Sequence, residues 1–273
     1  TQLDRRRPTA QRDPATVARQ EAQGTHPTQQ TAKVVAVIPC LNEERFIADI
    51  VSRAKEHVDH VIAVDDGSTD GTAHAASEAG AEVVRHERPR GAGAATRTGF
   101  QAALKHNPDV VVTLDGDGQH NPDEIPGVLA PVLRGEADLV IGSRFLPSTP
   151  ATEGSQRTQG TRLTGLLPYR RFGINTITWL YNLGSRTKVT DSQSCFRAHS
   201  RQLLEAVQIS EEGFGFSVQV LVQARRRGLR IVEVPISCVY HSQGSTLNPV
   251  AHGLGVALRL IRLRLDELLR MLV

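Results

Sequence analysis

Short runs of apolar residues alternate with segments of helical pattern through the centre of this chain. The apolar runs predict five buried strands, at 34–38, 61–64, 82–85, 110–114 and 138–141. The segments between them predict helices at 42–56, 70–80, 91–104 and 122–133. This alternation is typical of an α/β fold, with a mostly parallel sheet and helices on both of its faces.

The pattern becomes less regular after the fifth strand. Residues 147–168 are polar and rich in Gly and Thr, which predicts a long mobile loop over the site. Helices are predicted at 171–183, near 200–207 and at 216–227, followed by a strand at 230–234.

The two ends of the chain differ from the central region 33–240. Residues 1–32 are rich in Gln, Thr, Arg and Pro, which predicts a disordered N-terminal arm. Within 241–273, Leu and Ile recur at steps of three and four from Leu254 to Leu272, with arginines on another stripe. This pattern predicts a C-terminal amphipathic helix. Its apolar face is consistent with contact to a membrane surface, packing on the domain, or the seam of a homodimer.

Composition narrows the class of partner and the compartment. The chain has 32 basic and 29 acidic residues, a balance that argues against nucleic acid as a partner. Cys40, Cys195 and Cys238 are far apart, which argues against a disulfide framework or a zinc site. No apolar run has the length of a membrane span and no signal peptide is recognised. We therefore expect a cytoplasmic protein, peripheral on the cytoplasmic face of the membrane.

Two aspartates directly follow the predicted strand 110–114. Asp115 and Asp117 are separated by one glycine, so both carboxylates can bind one hard divalent cation. Mg²⁺ or Mn²⁺ bound in this way keeps coordination positions open for the oxygens of a diphosphate. The alternative interpretation is a turn in which the aspartates cap a loop.

Other polar clusters follow the first, second and fifth strands, at 39–43, 65–70 and 142–144. In parallel sheets ligands bind beyond the carboxyl ends of the strands, so these loops are expected to line one crevice. Asp65 and Asp66 follow the second strand, and the segment that begins at Asp66 fits the first half of a calcium-loop pattern, but Ser77 stands where a glutamate is required. These carboxylates can instead accept hydrogen bonds from a ribose or a base.

A glycine-rich segment at 91–96 precedes another predicted helix. Its sixth position is Thr96, which departs from the dinucleotide fingerprint. Backbone N–H groups at Gly93, with Arg97 one turn later, can bind an anion. Tight helix packing is the alternative reason for the glycines. Arg144, Arg170, Arg171 and Arg197 form a separate set, and two or three of these arginines are expected to bind a phosphate.

Five segments taken together resemble family 2 glycosyltransferases with the GT-A fold, which is Rossmann-like. Within that family the chain is most similar to the polyprenyl-phosphate group, which includes dolichol-phosphate mannose and glucose synthases. The segments lie at 37–44, 64–72, 115–120, 142–145 and 190–197, and the similarity covers roughly 33–240, the expected GT-A catalytic domain. Cys195 is a departure, because family members commonly have glycine there, so the backbone at 194–196 is expected to differ.

The resemblance implies four groups of site residues. The nucleotide-sugar site would comprise Pro39, Leu41, Asn42, Glu43, Asp65, Asp66, Gly93, Arg97, Asp115 and Gly116. Mg²⁺ or Mn²⁺ would be coordinated by Asp115, Asp117 and Gln119. The acceptor phosphate would be bound by Arg144, Arg170, Arg171, Ser194 and Arg197. Catalysis would depend on Asp117, Arg144 and Asp191.

The implied reaction transfers a sugar from a nucleotide sugar to a polyprenyl or dolichyl phosphate, with inversion at the anomeric carbon. The alternative is a sugar hydroxyl as acceptor, with Asp191 as general base. A nucleotide-sugar-binding regulator without turnover would not require the metal residues. A nucleotidyltransferase usually has a glycine-rich loop after the first strand, where this chain has the segment 39–43.

Overall fold

A computed structural model describes residues 32–147, 163–164, 166–185 and 187–240, with the backbone alone at 163–164. The N-terminal arm predicted at 1–32 lies outside the described residues except for its last position. Most of the predicted loop at 147–168 and the whole segment 241–273 also lie outside them.

Seven strands form one sheet, in the order β3-β2-β1-β4-β7-β5-β8. The strands are β1 (Val34–Cys40), β2 (His60–Asp65), β3 (Glu82–Arg85), β4 (Val110–Thr113), β5 (Leu139–Ser143), β7 (Arg197–Ser200) and β8 (Ile231–Pro235). All neighbouring strands pair in parallel except at β7, which is antiparallel to both β4 and β5. Two short strands, β6 (Leu163–Thr164) and β9 (Cys238–Val239), form a separate parallel pair.

Within the described ranges, seven helices connect these strands. They are α1 (Glu44–Ala54), α2 (Thr72–Glu78), α3 (Ala92–Lys105), α4 (Ile125–Leu133), α5 (Pro168–Asn182), α6 (Arg201–Ala206) and α7 (Phe216–Arg226), with a 3₁₀ turn at Pro122–Glu124 before α4. The mostly parallel α/β sheet predicted from the sequence is confirmed, and its first five strands have bounds within two residues of those predicted.

Alternate residues of the central strands face opposite sides of the sheet. In β1, Val35 and Val37 pack in one buried cluster, and Ala36 and Ile38 pack in the other. The sheet is therefore covered on both faces, and each of these four side chains has no exposed surface. Because β1 and β4 lie at the centre, their carboxyl ends form the rigid floor of the crevice that the polar loops surround.

β7 was not predicted. Its residues Arg197 and His199 are polar, so the segment lacks the apolar run of a buried strand, although both side chains are buried in the structure. The antiparallel insertion places the segment that precedes β7 next to the end of β4. No helix within the described ranges is long and apolar enough to cross a membrane.

Candidate active site

The loops that follow β1 and β2 are fastened to each other at the carboxyl end of the sheet. Asn42 has a positive φ of 57°, and its side-chain oxygen accepts a hydrogen bond from the Thr69 backbone N–H at 2.9 Å. The Asn42 backbone N–H donates to Ser68 Oγ at 2.9 Å, and that of Glu43 donates to Thr72 Oγ1 at 2.8 Å. Asn42 therefore sets the shape of the crevice, whereas the adjacent Leu41 is 40% exposed at its edge.

Asp65 and Asp66 organise the β2 loop from inside the protein. The Asp65 carboxylate accepts a hydrogen bond from the Ser68 N–H and lies 3.1 Å from Arg85 Nε. Asp66 accepts from the Gly91 N–H at 2.7 Å and contacts His86 Nδ1 at 2.7 Å. Both carboxylates are buried, so their role toward a base or ribose stays a prediction, while their bonds to the protein are evident.

A cluster of carboxylates occupies the centre of the crevice. Burial and then the neighbouring Asp117 raise the pKa of Asp115 to about 7. Burial also raises the pKa of Glu43 to about 7, and Asp117 and Asp115 add to that effect. Asp117 accepts hydrogen bonds from the backbone and side-chain N–H groups of Gln119. These negative groups repel one another, and such a site favours a bound cation.

Glycines let this carboxylate loop fit against the β1 loop. The Gly116 N–H donates to the Pro39 carbonyl at 3.2 Å, and a Cβ at Gly116 would lie 2.8 Å from the Cys40 Cβ. Gly118 has a φ of +75°, and a Cβ there would lie 2.8 Å from the Phe46 ring. Both positions require glycine, so the backbone spacing between Asp115 and Asp117 depends on them.

Arg144 and Asp191 form a buried bidentate ion pair beside the carboxylate cluster. Arg144 Nε and Nη2 lie 2.6 and 2.8 Å from the two Asp191 oxygens, and Nη1 donates to the Tyr240 hydroxyl at 2.7 Å. Asp191 also accepts backbone N–H bonds from Arg144, Gln193 and Ser194. Burial alone would raise the pKa of Asp191, but the Arg144 guanidinium outweighs it and the pKa is lowered.

These contacts determine what Asp191 and Arg144 can do. A general base must have a free lone pair and a suitable pKa, and both Asp191 oxygens are already bonded. Asp191 is instead a positioning residue that fixes the Arg144 guanidinium. Arg144 has five N–H donors and uses three of them in these bonds, so two N–H groups are available to an anion.

Arg144 and Arg171 both approach the ring of Phe145. The guanidinium carbons of Arg144 and Arg171 lie 5.9 and 6.0 Å from the Phe145 ring centroid. Arg171 is exposed in the first turn of α5, whereas Arg170 is partly buried. These two arginines are 27 positions apart in sequence, and the fold brings both near one ring. Their role toward a phosphate stays a prediction.

Arg197 and Ser194 do not have the accessibility that the sequence interpretation assigned to them. Arg197 is 2% exposed, and its Nη1 and Nη2 donate to the Ser217 and Ser192 carbonyls at 2.8 and 2.9 Å. Ser194 is 1% exposed. Direct phosphate binding by Arg197 is contradicted, because its guanidinium is buried and bonded to the Ser217 and Ser192 carbonyls. The Ser194 Oγ has no hydrogen-bond partner among the described residues, so its role toward a phosphate stays a prediction. Cys195 has no positive φ, so its backbone does not require glycine.

The glycine-rich start of α3 is occupied by the protein itself. The Gly93 and Ala94 N–H groups donate to the Glu212 carbonyl at 2.7 and 3.2 Å. A Cβ at Gly93 would lie 2.1 Å from the Glu211 carbonyl oxygen, and Arg97 donates to the Ile209 carbonyl. The expectation of free N–H groups for an anion is wrong here, and close packing explains the glycine.

Two residues of the site were missed by sequence reasoning. Tyr240 bonds Arg144, and Glu233 accepts the backbone N–H groups of Thr190 and Asp191 at 2.7 and 3.0 Å. Tyr240 directly follows the short strand β9 and Glu233 lies within β8, and neither carries a motif of its own. Their roles depend on long-range pairing, for which the local sequence has no signal.

Comparison with known proteins identifies the family of this chain. Residues 35–208 match the model of the family described as glycosyl transferase family 2. The chain is 31% identical over 258 residues to the UDP-N-acetylglucosamine–dolichyl-phosphate N-acetylglucosaminyltransferase of Methanococcus voltae, with 86% of this chain and 98% of that protein covered. It is 33% identical to the polyprenol monophosphomannose synthase of Mycolicibacterium smegmatis, with 82% and 80% covered.

A solved structure supports the same assignment. Glucosyl-3-phosphoglycerate synthase from Mycobacterium tuberculosis, in complex with Mn²⁺, UDP-glucose and phosphoglyceric acid, aligns with a TM-score of 0.60 and 26% identity. That alignment covers 86% of this chain and 79% of the other. The resemblance found in the five motifs is thus confirmed. The chain belongs to glycosyl transferase family 2 and is a glycosyltransferase.

Proposed function

We propose that this protein transfers a hexose from a nucleotide sugar to a polyprenyl phosphate at a membrane surface, with a divalent cation as cofactor. The observation that carries the proposal is the position of Arg144. Its charge opposes the rise in the pKa of Asp115, and its guanidinium approaches the Phe145 ring that Arg171, in the first turn of α5, also approaches. A donor site and an acceptor-phosphate site therefore share one guanidinium.

The carboxylate cluster fits a hard cation. Asp115 and Asp117 offer carboxylate oxygens and Gln119 offers an amide oxygen, which are the ligands preferred by Mg²⁺ and Mn²⁺. The raised pKa values of Asp115 and Glu43 support the same conclusion. Burial is the largest cause of both, and the negative charge of neighbouring carboxylates adds to it, so a cation bound there would be stabilised. When bound there, the cation would supply charge stabilisation for the departing nucleoside diphosphate.

The protein's own residues would supply positioning and charge. Arg144, fixed by Asp191 and Tyr240, would direct its two remaining N–H groups at an anionic oxygen. Arg171, which approaches the same Phe145 ring, would bind the acceptor phosphate. Because a phosphate monoester is already anionic near neutral pH, no strong general base is needed. The hydrogen bonds that occupy both Asp191 oxygens are compatible with a reaction that needs no such base. A single in-line displacement would invert the anomeric carbon.

The outer face of α5 supports contact with lipid. Tyr169, Phe172 and Trp179 are 50%, 74% and 60% exposed and lie on one arc of the helix. Leu183, just past the end of α5, continues that arc and is 46% exposed. Aromatic side chains of this kind favour the membrane–water interface. Arg171 lies in the first turn of the same helix, so a lipid phosphate at the surface would meet a cation beside the active site.

A transfer assay tests the reaction. UDP-glucose, UDP-N-acetylglucosamine and GDP-mannose, each radiolabelled, are offered separately with a polyprenyl phosphate and Mg²⁺ or Mn²⁺, and the product is extracted into organic solvent. Label in the organic phase with one donor supports the proposal, and Asp117→Ala should abolish it. Label transferred only to a soluble acceptor, such as phosphoglyceric acid, would refute the lipid acceptor and favour a hydroxyl acceptor.

Intrinsic fluorescence tests the membrane contact. Trp179 is the only tryptophan of the chain, so its emission reports on α5 alone. Vesicles of anionic phospholipid should shift the emission to shorter wavelength, and brominated lipids should quench it. Phe172→Ser should weaken the shift. Leu133→Ser removes a side chain of 48% exposure from the end of α4 and should leave it unchanged. Vesicle binding without any change in Trp179 emission would contradict contact through α5.

A further inference from the structure

Three side chains with metal-binding atoms meet at the end of the sheet opposite to the carboxylate cluster. His60 begins β2, Glu82 begins β3, and His106 directly follows α3. The catalytic carboxylates follow the other ends of the strands. Because Asp65 ends the same β2 strand, the two ends are about 16 Å apart. This His60–Glu82–His106 group therefore takes no part in the active site.

The geometry of this group is compact. His60 Nε2 and His106 Nε2 each lie 2.8 Å from the same carboxylate oxygen, Glu82 Oε2. The two imidazole rings are 4.1 Å apart at their centroids and inclined by 31°. Within the described part of the chain, this is the group of three His, Cys, Asp or Glu residues whose ligand atoms all lie within 4.8 Å of one another.

We propose that His60, Glu82 and His106 form a binding site for one late first-row divalent cation, with Zn²⁺ as the best match. Two imidazole nitrogens and one carboxylate oxygen are the ligand set of three-residue zinc sites, in which water takes the fourth position. The side chains are 33%, 38% and 30% exposed, so a cation can enter and keep a water ligand.

Little movement is needed to admit the cation. Ligands about 2.0–2.1 Å from a tetrahedral zinc ion lie roughly 3.3 Å from each other, so the contacts of 2.8 Å must open by about half an ångström. Each neutral imidazole must carry its proton on Nδ1, leaving the Nε2 lone pair for the metal. In the present arrangement the Nε2 atoms share Glu82 Oε2 through hydrogen bonds, which the metal–ligand bonds would replace.

The charge of the group favours a cation over an additional anion. The hydrogen bond from His60 is the largest influence that lowers the pKa of Glu82; burial opposes it, and the hydrogen bond from His106 adds to it. Glu82 is thus a carboxylate at neutral pH. The nitrogen-rich ligand set also differs from the all-oxygen set of Asp115, Asp117 and Gln119. The two sites should therefore select different metals, with Mn²⁺ or Mg²⁺ at the active site and Zn²⁺ here.

Such a site would join three elements at the edge of the sheet. β3 is an edge strand that pairs only with β2 among the described strands, and α3 packs over both β1 and β2. A metal bound to one residue from each of β2, β3 and the end of α3 would fix the edge strand in place. We infer a structural clamp, which raises stability when zinc is present.

Metal binding to the untagged, metal-stripped full chain tests the proposal. Zn²⁺ is titrated calorimetrically at pH 7.5 in an Asp115→Asn background, so that the active site does not compete. We expect one site of micromolar or tighter affinity, and at least a tenfold loss of affinity in both His60→Gln and His106→Gln. Co²⁺ in place of Zn²⁺ should give the visible absorption of a tetrahedral site, and the variants should lose it.

A matched control uses a histidine–glutamate pair that lacks the third ligand. His74 and Glu78 lie one turn apart on α2 with 3.4 Å between their nearest atoms, and their side chains are 77% and 69% exposed. His74→Gln should leave zinc affinity unchanged. Circular dichroism without metal checks that each variant is folded. Equal zinc affinity in His106→Gln and the parent would overturn the proposal. So would the absence of binding at a Zn²⁺ concentration of about 100 μM, which is on the order of 100 times a micromolar dissociation constant.

Discussion

Asp115→Asn should make the metal-free protein more stable at pH 8. The pKa of this carboxyl is raised from 3.8 to about 7, by burial first and by Asp117 second, so its ionised form is unfavourable in the folded state. One pKa unit corresponds to about 1.4 kcal/mol, which sets an upper limit of about 4 kcal/mol. Because Asp117 shares the effect and an asparagine amide is also costly to bury, we expect about 2 kcal/mol.

The sign of the pH dependence follows from the raised pKa. Between about pH 4 and 7 the folded wild type binds more protons at Asp115 than the unfolded chain does. Wild-type stability from this group is thus greatest at low pH and falls as the pH rises toward 7. The advantage of Asp115→Asn should therefore be full at pH 8 and less than half as large at pH 5. Buried histidines contribute equally to both proteins, so their effect cancels in the difference in unfolding free energy between the variant and wild type.

Thermal unfolding in EDTA at pH 5, 6, 7 and 8 measures this advantage. For a chain of this size, 2 kcal/mol corresponds to an increase in Tm of about 4–8 °C at pH 8. Mn²⁺ should raise the wild-type Tm and leave the variant unchanged, and sugar transfer should be lost. Asp49→Asn, which alters a carboxylate whose side chain is 69% exposed, is the matched control. It should leave both the Tm and sugar transfer as they are in wild type. A variant that is no more stable than wild type at pH 8 would refute the reasoning.

Three other substitutions test the contacts around the site. Asp191→Asn breaks a buried ion pair and should lower the free energy of unfolding by about 3 kcal/mol, which denaturant unfolding measures. It should also raise the KM for the lipid acceptor, which kinetics measures, because Asp191 no longer holds the Arg144 guanidinium in place. Arg197→Lys should lower Tm by several degrees but change the acceptor KM less than twofold, and the reverse pattern would restore Arg197 as a phosphate ligand. Gly93→Ala should lower Tm, because its Cβ would lie 2.1 Å from the Glu211 carbonyl oxygen.

The sequence predicted most of the sheet and the location of the site, because both depend on local signals. Buried strands such as 110–114 are apolar runs, and Asp115 and Asp117 stand directly after one. The parallel sheet then places the loops of different strands at one edge. Those two features do not require any knowledge of long-range contacts.

The errors have a common physical origin. From sequence alone, a polar residue in a predicted loop is taken to be available to a ligand. Only the fold shows whether that residue already forms hydrogen bonds with another part of the chain. Arg197 is held by the carbonyls of Ser192 and Ser217, and the Gly93 N–H is held by Glu212. Tyr240 was missed for the same reason, since it reaches Arg144 from 96 positions away.

The charges of the crevice imply that cation binding and carboxylate ionisation are coupled. Arg144 pairs with Asp191, while burial and neighbouring carboxylates raise the pKa values of Asp115 and Glu43. With pKa values of about 7, Asp115 and Glu43 are each about half protonated at neutral pH, so Mn²⁺ binding should release about one proton at pH 7 and fewer at pH 8. Calorimetry of Mn²⁺ binding in two buffers of different ionisation enthalpy measures this number. Identical apparent enthalpies in both buffers at pH 7 would mean that no proton leaves, and the carboxylates would then be ionised before the metal arrives.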